Sequence, residues 1–354
     1  MISKIKRKYL PLARAGFKYT TSRIMRKRIP LYVGLFLTER CNLKCTYCFP
    51  NSPGRKDVKE FSYQEICDVV DELYSLGTRY ITLLGGEPLI RNDFGKIVDY
   101  IAGKGIIVEA GTNGYFTKAR IKDMKKLNLV CHSIDGIEEE HDKNRGKGSY
   151  QKAIESIRIC TENKVPIQMR AVFTKNNVGS LEYLIDLAKK FNTSLGLAEQ
   201  AIVKPQDRDT VMSTAELRAF WKKVRDHKLR GDPLDKSVYL LDNIIKYPLE
   251  IPMEKIFRKG DPLPRDYNWM KCHLSDGYMF MDCNGFVYPC AVLFGKFGKS
   301  IHDVGVKGAW DYLQENDCVF CRQSMQDLKS YFFACDINAI MVAMKNFLSK
   351  LRQS

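Results

Sequence analysis

The stretch 31–48, LYVGLFLTERCNLKCTYC, decides the fold. Its first half, Val33–Leu37, is an apolar run long enough for a buried strand and too short for a helix. Its second half sets Cys41, Cys45 and Cys48 as C-x3-C-x2-C just after that strand. The alternation continues downstream, where Tyr80–Leu84, Ile106–Ala110, Leu129–Ile134, Ile167–Phe173 and Leu195–Ala198 read as further buried strands. Helical patterns lie between them. The clearest begins with a capping box at Ser62 and Glu65, carries Ile66, Val69, Val70 and Leu73 on one face, and stops at Gly77. Asn92 and Ser149 read as further N-caps. Six strand–helix units in a row predict a parallel sheet with right-handed crossovers, and six falls short of the eight that close a barrel. The expected fold is α/β, an open partial (β/α)6 barrel over 31–200 with its ligand at the C-terminal ends of the strands.

Beyond the barrel, 201–271 reads as a connection with helices at Glu216–Lys228 and Val238–Lys246 and a loop at Pro248–Pro264. Tyr278–Met281 and Phe286–Tyr288, around Asn284-Gly285, form a hairpin signal within a small domain at 272–335. An amphipathic helix is expected over Ala334–Leu351, in a closing segment 336–354. No run of 18 apolar residues and no signal peptide is present, so no transmembrane helix is expected and the cytoplasm is the expected location. Ten of the sixteen net positive charges lie in residues 1–30, which hold no acid. There Leu10, Ala13, Phe17, Thr20 and Ile24 recur at helical spacing, the make-up of a peripheral anchor on an anionic membrane surface. A solvated helix packed under the barrel is the alternative.

Twelve cysteines in a reducing compartment point to metal rather than disulfides. Cys67, Cys131 and Cys160 fall inside predicted elements and read as small buried hydrophobes. Thiolates suit zinc or iron–sulfur clusters. Three cysteines within eight residues hold three corners of a four-iron cubane and leave one iron open to a cofactor. A zinc knuckle completed by a distant ligand is the alternative, and it is disfavoured because zinc sites usually show paired C-x2-C or Cys/His spacing.

Gly85-Gly86-Glu87-Pro88 follows the second strand, Thr112-Asn113-Gly114 the third and Ser133-Ile134-Asp135-Gly136 the fourth. His141-Asp142, Arg145 and Gly148-Ser149-Tyr150 come after them. With the cysteine motif, these make residues 31–173 resemble the radical S-adenosylmethionine (SAM) superfamily. The resemblance implies a [4Fe-4S] cluster on Cys41, Cys45 and Cys48, with the open iron chelated by the amine and carboxylate of SAM. It further implies Gly85, Gly86 and Glu87 at the amino group, Tyr47 against the adenine, and Asn113 and Ser133 at the carboxylate or ribose. One-electron reduction by a flavodoxin- or ferredoxin-type donor would cleave SAM, and the 5′-deoxyadenosyl radical would take hydrogen from an unactivated C–H. No residue declares itself as catalytic acid or base.

Cys272, Gly285-x4-Cys290 and Cys318-x2-Cys321 resemble the twitch domain, a shortened SPASM domain. This implies a second, auxiliary [4Fe-4S] cluster on Cys272, Cys290, Cys318 and Cys321 that passes electrons. Cys318-x2-Cys321-x13-Cys335 also has the spacing of the triad in molybdenum-cofactor cyclases, where an open iron binds substrate, and both sets stay open here. Cys283 reads as a bystander. Ala291 stands where sulfatase-maturating enzymes carry a carboxylate base, so proton removal would need another group.

Two substrate classes follow. The basic tail suggests a membrane-associated lipid, lipid-linked sugar or other small molecule. The alternative is a ribosomal peptide, as for many twitch and SPASM enzymes, although the 40 residues before Cys41 are fewer than a leader-binding domain needs. The charge is confined to a tail, so nucleic acid, and with it a tRNA-modifying role, is not expected. A non-catalytic electron carrier would not need the Gly85–Pro88 motif.

Overall fold

The computed structural model describes residues 2–25, 27–48, 58–202, 205–252, 255–264, 271–322 and 333. Strands β1 (Tyr32–Phe36), β2 (Tyr80–Leu84), β3 (Ile107–Thr112), β4 (Leu129–Ser133), β5 (Ile167–Phe173) and β6 (Leu195–Glu199) pair in parallel, in sequence order. The helices are α1 (Ile2–Ile24), α2 (Tyr63–Leu76), α3 (Phe94–Gly103), α4 (Thr117–Met124), α5 (Glu138–Arg145), α6 (Ser149–Glu162), α7 (Leu181–Lys190), α8 (Thr214–Leu229), α9 (Val238–Lys246) and α10 (Ile301–Tyr312). The barrel is open, as six strands require.

Side chains alternate across each strand. Val33, Leu35, Ile81, Leu83, Val108 and Ala110 join Val70 and Leu73 of α2 and Ile97 of α3 in one core. Met169, Ala171, Phe173, Leu195 and Leu197 join α7, α8 and α9 in a second. On the other face Leu31, Phe36, Tyr278, Phe280 and Tyr288 gather in a third core at the β1–β8 side, with Tyr32 against it.

The Ser62–Glu65 capping box forms, and Gly77 ends α2 at φ 122° with its N–H on Leu73 O and Tyr74 O. The other two expected caps differ. The residue before α3 is Asp93, while Asn92 accepts a hydrogen bond from Arg120. Ser149 is the first residue of α6 rather than its cap, and Asp142 of α5 does the capping. Its carboxylate accepts from Gly148 N (2.6 Å), Tyr150 N (2.8 Å) and the Ser149 hydroxyl (3.2 Å). A charged acceptor satisfies more of the helix's free N–H groups than one hydroxyl can.

β8 (Tyr278–Met281) and β9 (Phe286–Tyr288) form the expected antiparallel hairpin, with Gly285 at φ 90° in the turn. The hairpin does not stand apart from the barrel. β8 pairs in parallel with β1, and with β10 (Lys299–Ser300) the sheet reaches nine strands in the order β10-β9-β8-β1-β2-β3-β4-β5-β6. The loop expected at 248–264 contains β7 (Ile256–Arg258), antiparallel to β11 (Cys318–Cys321). Phe257 and Phe320 of this pair are buried in the second core. A three-residue strand is too short to show a period, which is why the sequence reads as loop there. Next to β11, Arg322 donates to Glu199 at the end of β6 across 2.9 Å, and both side chains are largely buried. The C-terminal region therefore holds both edges of the open barrel, β1 through β8 and β6 through Arg322.

Helix α1 follows its predicted spacing. One side packs on the body: Tyr19 and Ser22 are buried, the Tyr19 hydroxyl donates to Phe333 O (2.8 Å), and Arg23 and Arg28 face Asp276 at 3.8 and 3.1 Å. Phe17, Ile24 and Met25 remain 72–76% exposed. No helix among the described residues is long and apolar enough to cross a membrane. Cys335 and the helix expected at 334–351 lie outside the described residues.

Candidate functional site

The first cysteine loop leaves β1 pressed against the turn after β2. Leu37 N donates to Leu84 O (2.9 Å), Gly86 N to Thr38 O (2.8 Å) and Glu87 N to Arg40 O (2.9 Å), so the ladder runs on past the strand ends. A Cβ at Gly86 would sit 2.2 Å from Arg40 O, and one at Gly85, where φ is +145°, 2.4 Å from Thr38 O. The two glycines are dictated by this crossing of backbones. Arg91 adds a clamp, donating to Leu37 O and Phe61 O at 2.9 Å each while paired with Asp93. Glu60 accepts from Glu39 N (3.1 Å) and from the Thr38 hydroxyl.

Glu87 is buried. Its carboxylate accepts from Asn113 N (2.7 Å), the Thr112 hydroxyl (2.9 Å) and Leu89 N (3.2 Å). Burial nevertheless lifts its pKa from 4.5 to about 7. Asn113 turns its amide toward the cysteine loop, with Nδ2 2.9 Å from Asn42 Oδ1 and 3.8 Å from Cys41 Sγ. Thus Cys41, Glu87 and Asn113, expected from separate motifs, meet at one place.

On the other side of the loop stands a fully buried ion pair. Arg145 donates to both oxygens of Asp135 at 2.7 and 3.1 Å. Burial opposes the charge on Asp135, but Arg145 outweighs it and holds the carboxyl below its usual range. The Tyr47 hydroxyl donates to the same carboxylate, and the Arg145 guanidinium lies 5.5 Å from the Tyr47 ring centroid. Arg145 also opposes the upward push of burial on the Cys45 thiol. Thr46 N donates to Asn144 O (3.0 Å), and the buried Asn144 amide has no hydrogen-bond partner among the described residues. Asp135, Arg145, Arg91, Glu60 and Asn144 had no assigned role from sequence. The signal for the first two was their place in the quoted motifs, Asp135 just after β4 and Arg145 at the end of α5. Ser133 sits half-buried at the end of β4, in register with Arg170 of β5.

The second set of thiols converges although its members are far apart in sequence. Cys272 N donates to Val319 O (2.7 Å), which ties the segment before β8 to β11. Burial pushes the thiols of Cys290 and Cys318 up to about 12 and that of Cys272 well above its ordinary value. Cys321 and Cys318 act electrostatically on both Cys272 and Cys290, so the four lie in one neighbourhood. Cys283 is buried elsewhere, near Glu39 and Glu60. Between the two cysteine sets runs a train of rings. Phe36 lies 5.2 Å from Phe294, and Phe294 4.5 Å from Tyr288, two residues before Cys290.

Both donor sets fit iron–sulfur clusters. Cys41 is exposed and Cys45 and Cys48 are half-buried on one loop, open to a ligand at the strand ends. Among the described residues no three His, Cys, Asp or Glu side chains converge as closely as a single metal ion requires. Cluster ligands stand farther apart than that.

Thiols, a buried carboxylate and a held loop at the C-terminal rim of an open parallel barrel define an enzyme class that pairs an iron–sulfur cluster with a nucleoside cofactor. The chain belongs to the radical SAM superfamily, whose family model matches residues 35–188. The family binds a [4Fe-4S] cluster and SAM. The chain is 30% identical over 289 residues to the AdoMet-dependent heme synthase of Methanosarcina barkeri, covering 75% of this chain and 77% of that one. It is 30% identical over 200 residues to the mycofactocin maturase MftC of Mycolicibacterium smegmatis, covering 53% and 49%. This chain spans about half the length of several curated relatives it matches. Streptococcus suis SuiB bound to its precursor peptide SuiA shares the fold at a TM-score of 0.62 and 18% identity, over 83% of this chain and 67% of SuiB.

Proposed function

We propose that this chain modifies a peptide by SAM-derived radical chemistry. The observation that carries the reading is the kinship to a maturase in sequence, supported by the shared fold with a peptide-bound enzyme. Cys41, Cys45 and Cys48 would hold the SAM-binding cluster, and Cys272, Cys290, Cys318 and Cys321 the auxiliary one. The clusters supply one-electron reduction when bound. Glu87 would receive the ammonium of SAM, with Asn113 and Ser133 toward its carboxylate or ribose and Tyr47 toward its adenine. Asp135 and Arg145 position the Cys45–Cys48 segment. Residues 272–335 would act as the auxiliary-cluster unit, fed by an external flavodoxin- or ferredoxin-type donor.

A small-molecule substrate is the second reading, favoured by the heme synthase alignment over three quarters of both chains. A lipid or lipid-linked sugar finds no support among these relatives. The test is anaerobic incubation of reconstituted, reduced enzyme with SAM and short peptides encoded beside its gene. The expected result is 5′-deoxyadenosine together with a peptide mass change. Formation of 5′-deoxyadenosine that no such peptide stimulates, but a tetrapyrrole does, would replace this reading with the second.

Membrane contact by α1 is a separate proposal, resting on exposed Phe17, Ile24 and Met25 beside basic residues. Flotation with anionic liposomes should retain the full chain and release one beginning at Ile29. Indifference to lipid charge and to the truncation would remove it.

A further inference from the structure

The concave face of the barrel holds a belt of polar side chains that the proposed cofactor site does not use. Tyr32 and Tyr80 stack at 4.3 Å, and the Tyr80 hydroxyl donates to Glu109. Across the sheet, Cys131 Sγ lies 3.9 Å from Gln168 Oε1, which also accepts from Arg170 Nε at 3.0 Å. Cys131 is thus a lining residue of this face rather than only a small core hydrophobe. Arg170 is exposed, yet its guanidinium lies in the field of Cys131, Asp235, Tyr32 and Glu109, groups from four separate segments of the chain. An exposed side chain so surrounded stands in the solvent-filled interior. Its two Nη groups have no hydrogen bond or ion pair among the described residues.

The direction of this side chain separates it from the rim. Arg170 starts level with Ser133, but its partner Gln168 lies earlier on β5. Tyr32 is the first residue of β1, and Glu109 the third of β3. The guanidinium therefore hangs below the strand ends, away from the cysteine loop and toward the N-terminal half of the barrel.

We infer that Arg170 is a substrate-binding residue that receives a carboxylate, deepening the reading of the chain as an enzyme acting within this barrel. Two parallel N–H donors match the two oxygens of one carboxylate. Glu109 and Asp235 nearby set a limit on charge, since two carboxylates repel a dianionic phosphate about twice as strongly as they repel a single carboxylate. The carboxylate belongs either to a peptide or to a small organic acid, and the shared group is what Arg170 recognises.

Phenylglyoxal footprinting of the anaerobic holoenzyme, read by peptide mass spectrometry, tests this without turnover. Arg170 should be labelled in the free enzyme and with SAM bound. Acetyl-glycyl-tyrosine or benzoate should slow its labelling by about tenfold, and the corresponding carboxamides should not. Protection at lower concentration by the peptide acid assigns the carboxylate to a peptide, and the reverse order to a small acid. The same acids should raise the melting temperature of the wild type but not of Arg170→Gln. The inference is overturned if Arg170 resists labelling in the free enzyme, if SAM alone shields it, or if acids and amides protect equally. Because nothing here requires a reaction, a wrong substrate reading and a wrong role for Arg170 fail in different experiments.

Discussion

The two cysteine sites solve opposite problems. The first draws three thiols from one eight-residue loop and leaves them open, with the restraint placed around them. Backbone pairing at Gly86 and Glu87, the Arg91 clamp and the Asp135–Arg145 pair fix a loop whose own side chains face outward. The second draws four thiols from three separate segments, Cys321 buried and the other three half-buried, along the seam between the hairpin and β11. A site that must admit a cofactor is held from outside. If the second set holds the proposed auxiliary cluster, its own ligands would close the site.

The largest effect that could break this contrast is on chemistry. Replacing Cys41, Cys45 and Cys48 together by Ala should lower iron from about eight to about four per chain and reduce 5′-deoxyadenosine to background. Cys290→Ala should remove a similar share of iron, lower the melting temperature, and leave SAM cleavage measurable. Equal loss of SAM cleavage in both variants would merge the two sites into one function.

Next come the buried ion pairs, one beside each site. Arg145→Ala leaves the Asp135 carboxylate buried without its charge partner and should cost about 3–5 kcal/mol in urea unfolding. It should also loosen the first loop, read as faster amide exchange at 45–47. Arg322→Ala removes the arginine paired with buried Glu199, and here the faster exchange should appear in β6 and β11. Exchange that rises at both places in either variant would mean that the sites are not independently held.

A smaller effect is set by pH. The pKa of Glu87 in the folded chain, about 7, lies above its ordinary 4.5, so the folded chain binds this proton more tightly than the unfolded one. That contribution to stability is full below 4.5 and is lost as pH rises through 7, a span of about 3 kcal/mol. Glu87→Gln should flatten the corresponding slope in urea titrations between roughly pH 5 and 8. If Glu87 receives the ammonium of SAM, binding favours the carboxylate, and SAM affinity measured by calorimetry should fall as pH drops below 7 in the wild type alone. The smallest expected change is for Cys283→Ala, which should leave iron content as it was, since Cys283 belongs to neither thiol set.

How much of this could be read from the sequence also divides between the two regions. The barrel strands and the first cysteine loop were legible because buried parallel strands are apolar runs and the motifs follow them at strand ends. The attachment of the hairpin was not legible. Pairing of β8 with β1 joins residues some 250 positions apart, and no local pattern announces it. β7 is too short for a period to show. Arg170 is hidden for another reason. A charged residue inside an apolar strand reads as solvent-facing, and only the curvature of the sheet turns that solvent into the inside of a barrel.

Electron paramagnetic resonance of the reduced enzyme, with and without SAM, tests the central claim of one open and one closed cluster most directly. In Cys290→Ala the remaining signal should change shape when SAM is added. In the variant lacking Cys41, Cys45 and Cys48 it should not. A signal from the triple variant that responds to SAM would contradict the account.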